Sequence, residues 1–329
     1  SCICYDLMFL KNLYVEIKEV VIPLFKILIP FVFIVKILEE IGAIALISSI
    51  FAPLMNLIGL PPELGIVWVT AFIVNIYAAL VLFINLIPGL EVSVAQITIL
   101  TTAILIAHNL LIESAISKYA GISFTYTFVF RLIYAFLVCF ILNQTYIYFN
   151  FLNESYSTFF TIEPLREGFV YWLQDQALNL LYVFVIVVIM VTVLELLKVL
   201  GVDRFLKKTL IPVLRMFGIS KEATNIIIVG MTIGLQFGGG ILIKEVKSGK
   251  IDKQSVFLAV SLLNVIHAVI EDTILMLAVG GHYSGVIVAR IFFGLLISLV
   301  IFKIYQKYDT FFEKYIFSPH LRSLPKIKD

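Results

Sequence analysis

Charged residues are scarce in this chain of 329 residues: they make up 14%, whereas 61% of the residues are hydrophobic. The mean hydropathy is +1.06. A water-soluble domain of this length could not bury so much apolar surface. The sequence therefore predicts an all-α polytopic membrane protein, with spanning helices of about 20 apolar residues each.

Cysteines and nucleotide-binding motifs are also lacking. The three cysteines, Cys2, Cys4 and Cys139, are too few and too scattered for a disulfide framework. There is no Walker loop, no G-x-G-x-x-G after a strand, no C-x-x-C pair and no H-E-x-x-H. ATP-driven transport within this chain is excluded, and no enzyme activity, catalytic residue, cofactor, resident metal or nucleic-acid partner is predicted.

The chain consists of two similar halves. When it is slid along itself by 159 positions, the turn-forming and polar residues coincide: Gly42 with Gly201, Pro53 with Pro212, Gly59 with Gly218, Glu63 with Glu222, His108 with His267, Glu113 with Asp272, Gly121 with Gly280, and Arg131 with Arg290. Such a duplication is typical of transporters whose halves form one site between them. Each repeat is predicted to hold about five segments. One of them is a Pro-interrupted half-helix, at 44–58 or 204–217, and the windows 63–86 and 222–244 are predicted to span.

Lysines and arginines are distributed differently in the two halves. The segment Lys244–Lys253 is strongly basic, whereas its counterpart at 86–93 has no positive charge. Because cytoplasmic loops collect Lys and Arg, this bias predicts inverted-topology repeats in the cytoplasmic (cell) membrane, with both termini cytoplasmic. The predicted organisation is a first repeat over 1–145, an external connector with an interfacial helix over 146–176, a second repeat over 177–306 and a cytoplasmic basic tail over 307–329.

Polar side chains recur inside the predicted spans. An ionisable group costs about 2.5–3.5 kcal/mol at a helix centre and usually faces a pathway. In the second half, Asn264, His267 and Glu271 follow at i, i+3 and i+7, on one helix face. The set predicted to bind a solute or a coupling ion is His108, Asn109 and Glu113 from the first half with Asn264, His267 and Glu271 from the second. The alternative is that these residues only join helices by hydrogen bonds.

An arginine follows an acid by 18 residues in each half. Because a buried charge needs a partner, structural ion pairs Glu113–Arg131 and Asp272–Arg290 are predicted across two helical hairpins. A direct role of the arginines in binding an anionic substrate is the alternative.

The segment Gly230–Gly240 is rich in glycine, which disfavours a regular helix. An unwound backbone is predicted here, and it would expose Gln236, Gly238 and Gly239 to a ligand. In the first half, the side chains of Asn75 and Tyr77 would take this role. Close helix packing through small residues is the alternative.

The order of these segments resembles the nucleoside-recognition, or Gate, domain. The resemblance rests on a Pro–x5–Gly stretch, from Pro53 to Gly59 and from Pro212 to Gly218, that precedes a polar span or a Gly-rich span. The domain is shared by concentrative nucleoside transporters, bacterial ferrous-iron permeases and spore-maturation membrane proteins. The whole chain is similar to archaeal and bacterial membrane proteins made of two Gate units, over 20–145 and 177–305. The resemblance implies a pore-and-gate module, although the paired pore cysteines of an iron permease are absent.

The sequence predicts a secondary transporter for a small polar solute such as a nucleoside or nucleobase, driven by H⁺ or Na⁺. Two other functions stay open. One is a divalent metal-ion permease with His108, His267 and the acids as ligands. The other is a non-transporting assembly or signalling subunit. The expected partners are the solute, the coupling ion and the bilayer, and a homo-oligomer is left open.

Overall fold

A computed structural model describes residues 2–157, 168–216, 219–249 and 251–324. Within these ranges the chain forms sixteen α-helices and no strand. The helices are α1 (Cys2–Glu40), α2 (Ala43–Leu57), α3 (Leu64–Ile73), α4 (Ile76–Leu86), α5 (Val94–Ala107), α6 (Leu110–Tyr119), α7 (Phe124–Phe149), α8 (Phe169–Val199), α9 (Val202–Met216), α10 (Lys221–Ile233), α11 (Leu235–Lys247), α12 (Lys253–Val265), α13 (Glu271–Ala278), α14 (Arg290–Lys307), α15 (Asp309–Tyr315) and α16 (Pro319–Ser323). A π-helical turn, Ser284–Ala289, leads into α14.

Five segments of the described chain are long and apolar enough to cross a membrane: Lys11–Glu40, Val94–Tyr119, Phe124–Phe149, Phe169–Leu197 and Ser284–Lys307. The second of these contains α5 and α6, with a break between them. The architecture is therefore helical, with several helices of spanning length, as its composition predicts.

The helix bounds repeat in the two halves with the same offset as the sequence. Shifted by 159 residues, α2 coincides with α9, and the first residue of α4 coincides with that of α11. The backbone exceptions repeat too: Asn109 has φ 47° and its counterpart Ala268 has φ 43°. The duplication in sequence is thus a duplication in structure.

One end of the molecule, which we call the connector end, is formed by the loops 86–93, 150–157 and 279–283. The amide of Val94 donates to the carbonyl of Glu154 at 3.0 Å, and the amide of Tyr156 donates to Val92 at 2.8 Å. The hydroxyl of Tyr156 donates to the carbonyl of Val279 at 2.6 Å. These bonds hold the connector between the halves against both of them.

The opposite end, which we call the terminal end, contains the turn 120–123, the start of α12 and the segment 308–324. Ser123 N donates to Ile316 O, and Ser318 N donates to Gly121 O, both at 2.8 Å. Lys253 Nζ lies 2.7 Å from Glu313 Oε1. The predicted basic tail is therefore packed against the helices, at least up to residue 324. The loop 86–93 and the segment before α12, which correspond in the repeat, lie at opposite ends.

The windows 63–86 and 222–244 do not span as predicted, because each forms a helical hairpin. Gln96 Nε2 donates to Gly59 O at 2.9 Å, which places the start of α3 at the connector end, where α4 also finishes. Ser220 N donates to Ser255 Oγ at 3.0 Å, so α10 starts at the terminal end, where α11 finishes. A helix of 10 residues such as α3 is about 15 Å long, half of a hydrocarbon core of about 30 Å. Each arm of a hairpin is therefore too short to cross that thickness alone, and the chain returns to the end from which the hairpin starts.

The short helices α2 and α9 lie at the outside of the bundle, where α2 packs against α1 and α3, and α9 against α8 and α10. They do not surround the centre of the molecule. Helix α2 continues through Pro53 and α9 continues through Pro212, so neither proline interrupts its helix as predicted. A proline is tolerated in a membrane helix where neighbouring groups satisfy the freed carbonyl. Of the predicted connector 146–176, residues 158–167 lie outside the described chain, and the residues from Phe169 onwards belong to α8.

Candidate functional site

Two broken helices bring the repeated histidines together. Helix α5 ends at Ala107, His108 follows with extended backbone angles, and Asn109 turns left-handed before α6 begins. In the second half α12 ends at Val265, and His267 precedes the left-handed Ala268. His108 lies near the middle of the span Val94–Tyr119.

The two histidines and two acids form one buried group, which we call the His–acid cluster (His108, Glu113, His267 and Asp272). His108 Nε2 lies 3.3 Å from His267 Nε2. His108 Nε2 is also 3.3 Å from Asp272 Oδ2, and His267 Nε2 is 3.2 Å from Glu113 Oε1. Each histidine thus contacts the acid of the other half, so the contacts obey a local two-fold symmetry. All four residues are at least 94% buried.

The tip of each hairpin contacts the break in the broken helix of its own half. The amide of Asn109 donates to Ala71 O at 2.9 Å, and that of Val269 donates to Met231 O at 2.8 Å. The hydroxyl of Tyr77, just after the first tip, donates to Glu271 Oε1 at 3.1 Å. Two hairpins that enter from opposite ends therefore meet two broken helices at the His–acid cluster.

The arginines cap the broken helices. Arg131 donates to the carbonyl of Ile106 from Nε at 3.1 Å and from Nη2 at 2.9 Å, and to His108 O at 3.1 Å. These carbonyls belong to the end of α5, where no amide of the same helix can reach them. In the second half Arg290 donates to His267 O in the same way.

Only one of the two predicted ion pairs is present among the described residues. Arg131 contacts Glu113, but Arg290 donates to the Thr273 hydroxyl at 3.2 Å and forms no ion pair with Asp272. The expectation for Asp272 is therefore wrong. Its carboxylate turns to His108 in the other half, while Arg290 is held by its capping bond.

Other predicted site residues have structural contacts. Asn75 Oδ1 accepts from Ala78 N at 2.8 Å and so caps α4. Asn264 Nδ2 donates to Ser117 Oγ at 2.9 Å, across the two halves. The oxygens Asn109 Oδ1 and Asn264 Oδ1 are buried without a hydrogen-bond partner in the described structure.

The unwound segment predicted over Gly230–Gly240 is limited to one residue. Gly234 has φ 99° and ψ 161°, which separates α10 from α11, and the glycines after it are helical. Glycine is needed at Gly239 for a different reason, because a Cβ there would collide with Ile116 of α6. The side-chain surroundings of Gln236 and Gly238 lie outside the described part.

A small cavity lies beside the cluster, lined by residues that include Ile76, Thr101, Ile104 and Met276. Its volume is about 10 Å³, roughly the room of a single water molecule. A nucleoside could enter only if the surrounding helices moved apart.

Comparison with known proteins supports the membrane assignment. The chain is 25% identical over 290 residues to YvoD, an uncharacterized membrane protein of Bacillus subtilis (strain 168), covering 86% of this chain and 90% of that protein. No family model matches the chain. No solved structure matches it either. The chain is thus a membrane protein, and its likeness to the Gate domain rests on the motifs given above.

Proposed function

We propose that the protein is a secondary transporter whose pathway runs through the His–acid cluster. The observation that carries this proposal is the meeting of two hairpin tips and two helix breaks at a group of buried ionisable residues. Broken helices near mid-depth, at the contact of two repeats, are the usual construction of a transporter site. A subunit that only holds others together has no need for charged residues at this depth.

We further propose that the repeats are inverted in the membrane. In support, the loop 86–93 and the segment before α12 correspond in the repeat but lie at opposite ends. The terminal end is also the basic one, with Lys118, Lys247, Lys253, Lys307, Lys314 and Arg322. This bias favours a cytoplasmic terminal end and so cytoplasmic termini in the cell membrane. Each half would then cross three times, with one hairpin that enters and returns.

The cluster favours a cation as the species that it binds. Oxygen and imidazole-nitrogen lone pairs converge there, and Na⁺ prefers sites made of oxygen atoms alone. The cation either drives the movement of a small polar solute, such as a nucleoside or nucleobase, or is itself the cargo. The positions of α2 and α9 outside the bundle leave the hairpins and broken helices as the moving parts.

Alternating access can be tested without knowing the cargo. Thr101 and Met276 line the small cavity, so Thr101→Cys and Met276→Cys are introduced singly into a chain without native cysteines. In a transporter, a membrane-impermeant thiol reagent should reach these positions from each side of the membrane, in proportions that change with ion gradients. Leu137→Cys, on an exposed face of α7, serves as the lipid-facing control. Absence of labelling from either side under every gradient would contradict transport and favour a closed assembly subunit.

A further inference from the structure

The hydrogen positions of the two histidines follow from their backbone contacts. His108 Nδ1 lies 2.9 Å from Ile104 O, and His267 Nδ1 lies 2.8 Å from Leu263 O. A carbonyl oxygen can only accept, so Nδ1 carries the hydrogen in both rings. In each neutral ring Nε2 then carries no hydrogen and can only accept a hydrogen bond.

The centre of the cluster therefore brings acceptors together without a donor. The two bare Nε2 atoms face each other at 3.3 Å, and each also faces a carboxylate oxygen, at 3.3 Å for Asp272 and 3.2 Å for Glu113. Asp272 Oδ2 is buried and has no hydrogen-bond partner in the described structure. Such an arrangement repels itself unless a positive species lies among the four atoms.

Protons account for this geometry poorly. A single proton on His267 Nε2 can serve the contacts to Glu113 and His108, but it leaves the contact between His108 and Asp272 repulsive. A second proton, on the Asp272 carboxyl, is needed to relieve that contact. Hydrogen bonds from an imidazolium to a carboxylate are also shorter, about 2.7–2.9 Å, than the contacts observed here.

A metal ion accounts for all three contacts at once. Tetrahedral zinc with ligands at about 2.0–2.1 Å has neighbouring ligand atoms about 3.3–3.4 Å apart, close to the observed 3.2 and 3.3 Å. The ligand atoms of His108, His267 and Glu113 all lie within 4.8 Å of one another, and Asp272 adds a fourth donor next to His108. Of the three other separations, the one between His108 and Glu113 is already within 4.8 Å, whereas Asp272 lies outside that set and would have to move towards the ion.

The surroundings of the ligands also fit a metal. A metal-bound histidine usually donates its other ring N–H to a carbonyl or carboxylate, which fixes the ring orientation, and both histidines do so here. Arg131 holds the outer oxygen of Glu113 and leaves Oε1 directed at the centre. The two backbone carbonyls and Arg131 thus orient three ligands before any ion arrives.

We propose that the His–acid cluster binds one divalent transition-metal ion, of the zinc, cobalt or ferrous type, through His108, His267 and Glu113, with Asp272 beside His108 as the fourth ligand once it moves towards the ion. Imidazole nitrogen selects these metals over Mg²⁺ and Ca²⁺, which prefer oxygen ligands. This deepens the proposed function and rests on it in one respect: if the protein is a transporter, the metal ion is its cargo. The binding site itself stands independently of transport.

Cobalt titration of the full-length protein purified in detergent tests the site. We expect one Co²⁺ per chain, with visible ligand-field bands of a four-coordinate site that Zn²⁺ abolishes and Mg²⁺ leaves unchanged. The double variant His108→Asn/His267→Asn should lose more than tenfold in affinity. His282→Asn should bind like the unaltered protein, because His282 lies at the connector end and contacts Ser284.

A second variant keeps the test decisive if the double variant does not fold. His267→Cys retains a ligand and should add a near-ultraviolet sulfur-to-cobalt charge-transfer band, whereas His282→Cys should not. The absence of bound Co²⁺ and Zn²⁺ in the unaltered protein, or a His267→Cys spectrum without the new band, would overturn the proposal.

Uptake of Zn²⁺ into liposomes separates the site from the transport function. Metal binding without uptake, and without thiol labelling of Thr101→Cys from both sides, leaves the site intact and refutes the transporter. Two-sided labelling without metal binding leaves the transporter intact and refutes the metal site.

Discussion

Arg131 and Arg290 correspond in the repeat, yet their loss should have unequal effects. Arg131 is completely buried; it contacts Glu113 and makes three bonds to carbonyls at the end of α5. Arg131→Met leaves a buried carboxylate without its cation, which costs about 3–5 kcal/mol. Arg290→Met removes two bonds from a charged donor, one to a carbonyl and one to a hydroxyl, at about 1.5–3 kcal/mol each, whereas Arg131→Met also loses three such bonds. We therefore expect Arg131→Met to be the more destabilising by about 2 kcal/mol or more.

Unfolding in mixed detergent, followed by tryptophan fluorescence, measures both variants in one assay. The double variant Glu113→Gln/Arg131→Met should be more stable than Arg131→Met alone, since the buried charge is removed together with its partner. Equal losses for the two arginines, or no rescue by Glu113→Gln, would refute the reasoning. Asp272→Asn should destabilise the protein less than Arg131→Met, because Asp272 forms no ion pair with Arg290 in the described structure, and it should weaken metal binding in the cobalt titration.

Three further outcomes are expected. Gly239→Ala should destabilise the protein by about 1–3 kcal/mol through overpacking against α6, whereas Gly240→Ala, with open space at its Cβ, should be neutral or stabilising, as the same unfolding assay can measure. Glu91→Cys and Ser248→Cys should be labelled from opposite sides of sealed vesicles, and labelling from one side would refute the inverted topology. Lys253→Met should make the segment after residue 308 more sensitive to limited proteolysis, because the Lys253 ammonium lies 2.7 Å from Glu313 of α15. An unchanged rate of digestion would show that packing alone holds this segment.

The duplication, the helical class and the central polar residues could be predicted from the sequence, because polar and turn-forming residues stand out in an apolar chain. The pairing of His108 with the acid of the other half could not be predicted, since it depends on how the halves pack. The arginine that caps each broken helix was missed, although its spacing of 23 residues from the histidine is the same in both halves.

The hairpins were mistaken for spans because hydropathy does not distinguish a helix that crosses from two that turn at mid-depth. A signal was available at the turns. Asn75 and Gly234 occupy the same register in the repeat, and both residue types break a helix readily. Hydrophobic length alone therefore overestimated the number of crossings in each half.

The bonds between hairpin tips and helix breaks limit how the molecule can open. Asn109 N to Ala71 O and Val269 N to Met231 O are main-chain bonds within one half each, whereas the His–acid cluster joins the halves only through contacts between side chains. A hairpin and its broken helix should therefore travel together as one rigid body, and separation should occur along the seam between the halves. Single substitutions can therefore change the strength of the contact between the halves, whereas the main-chain bonds within each half do not depend on side-chain identity.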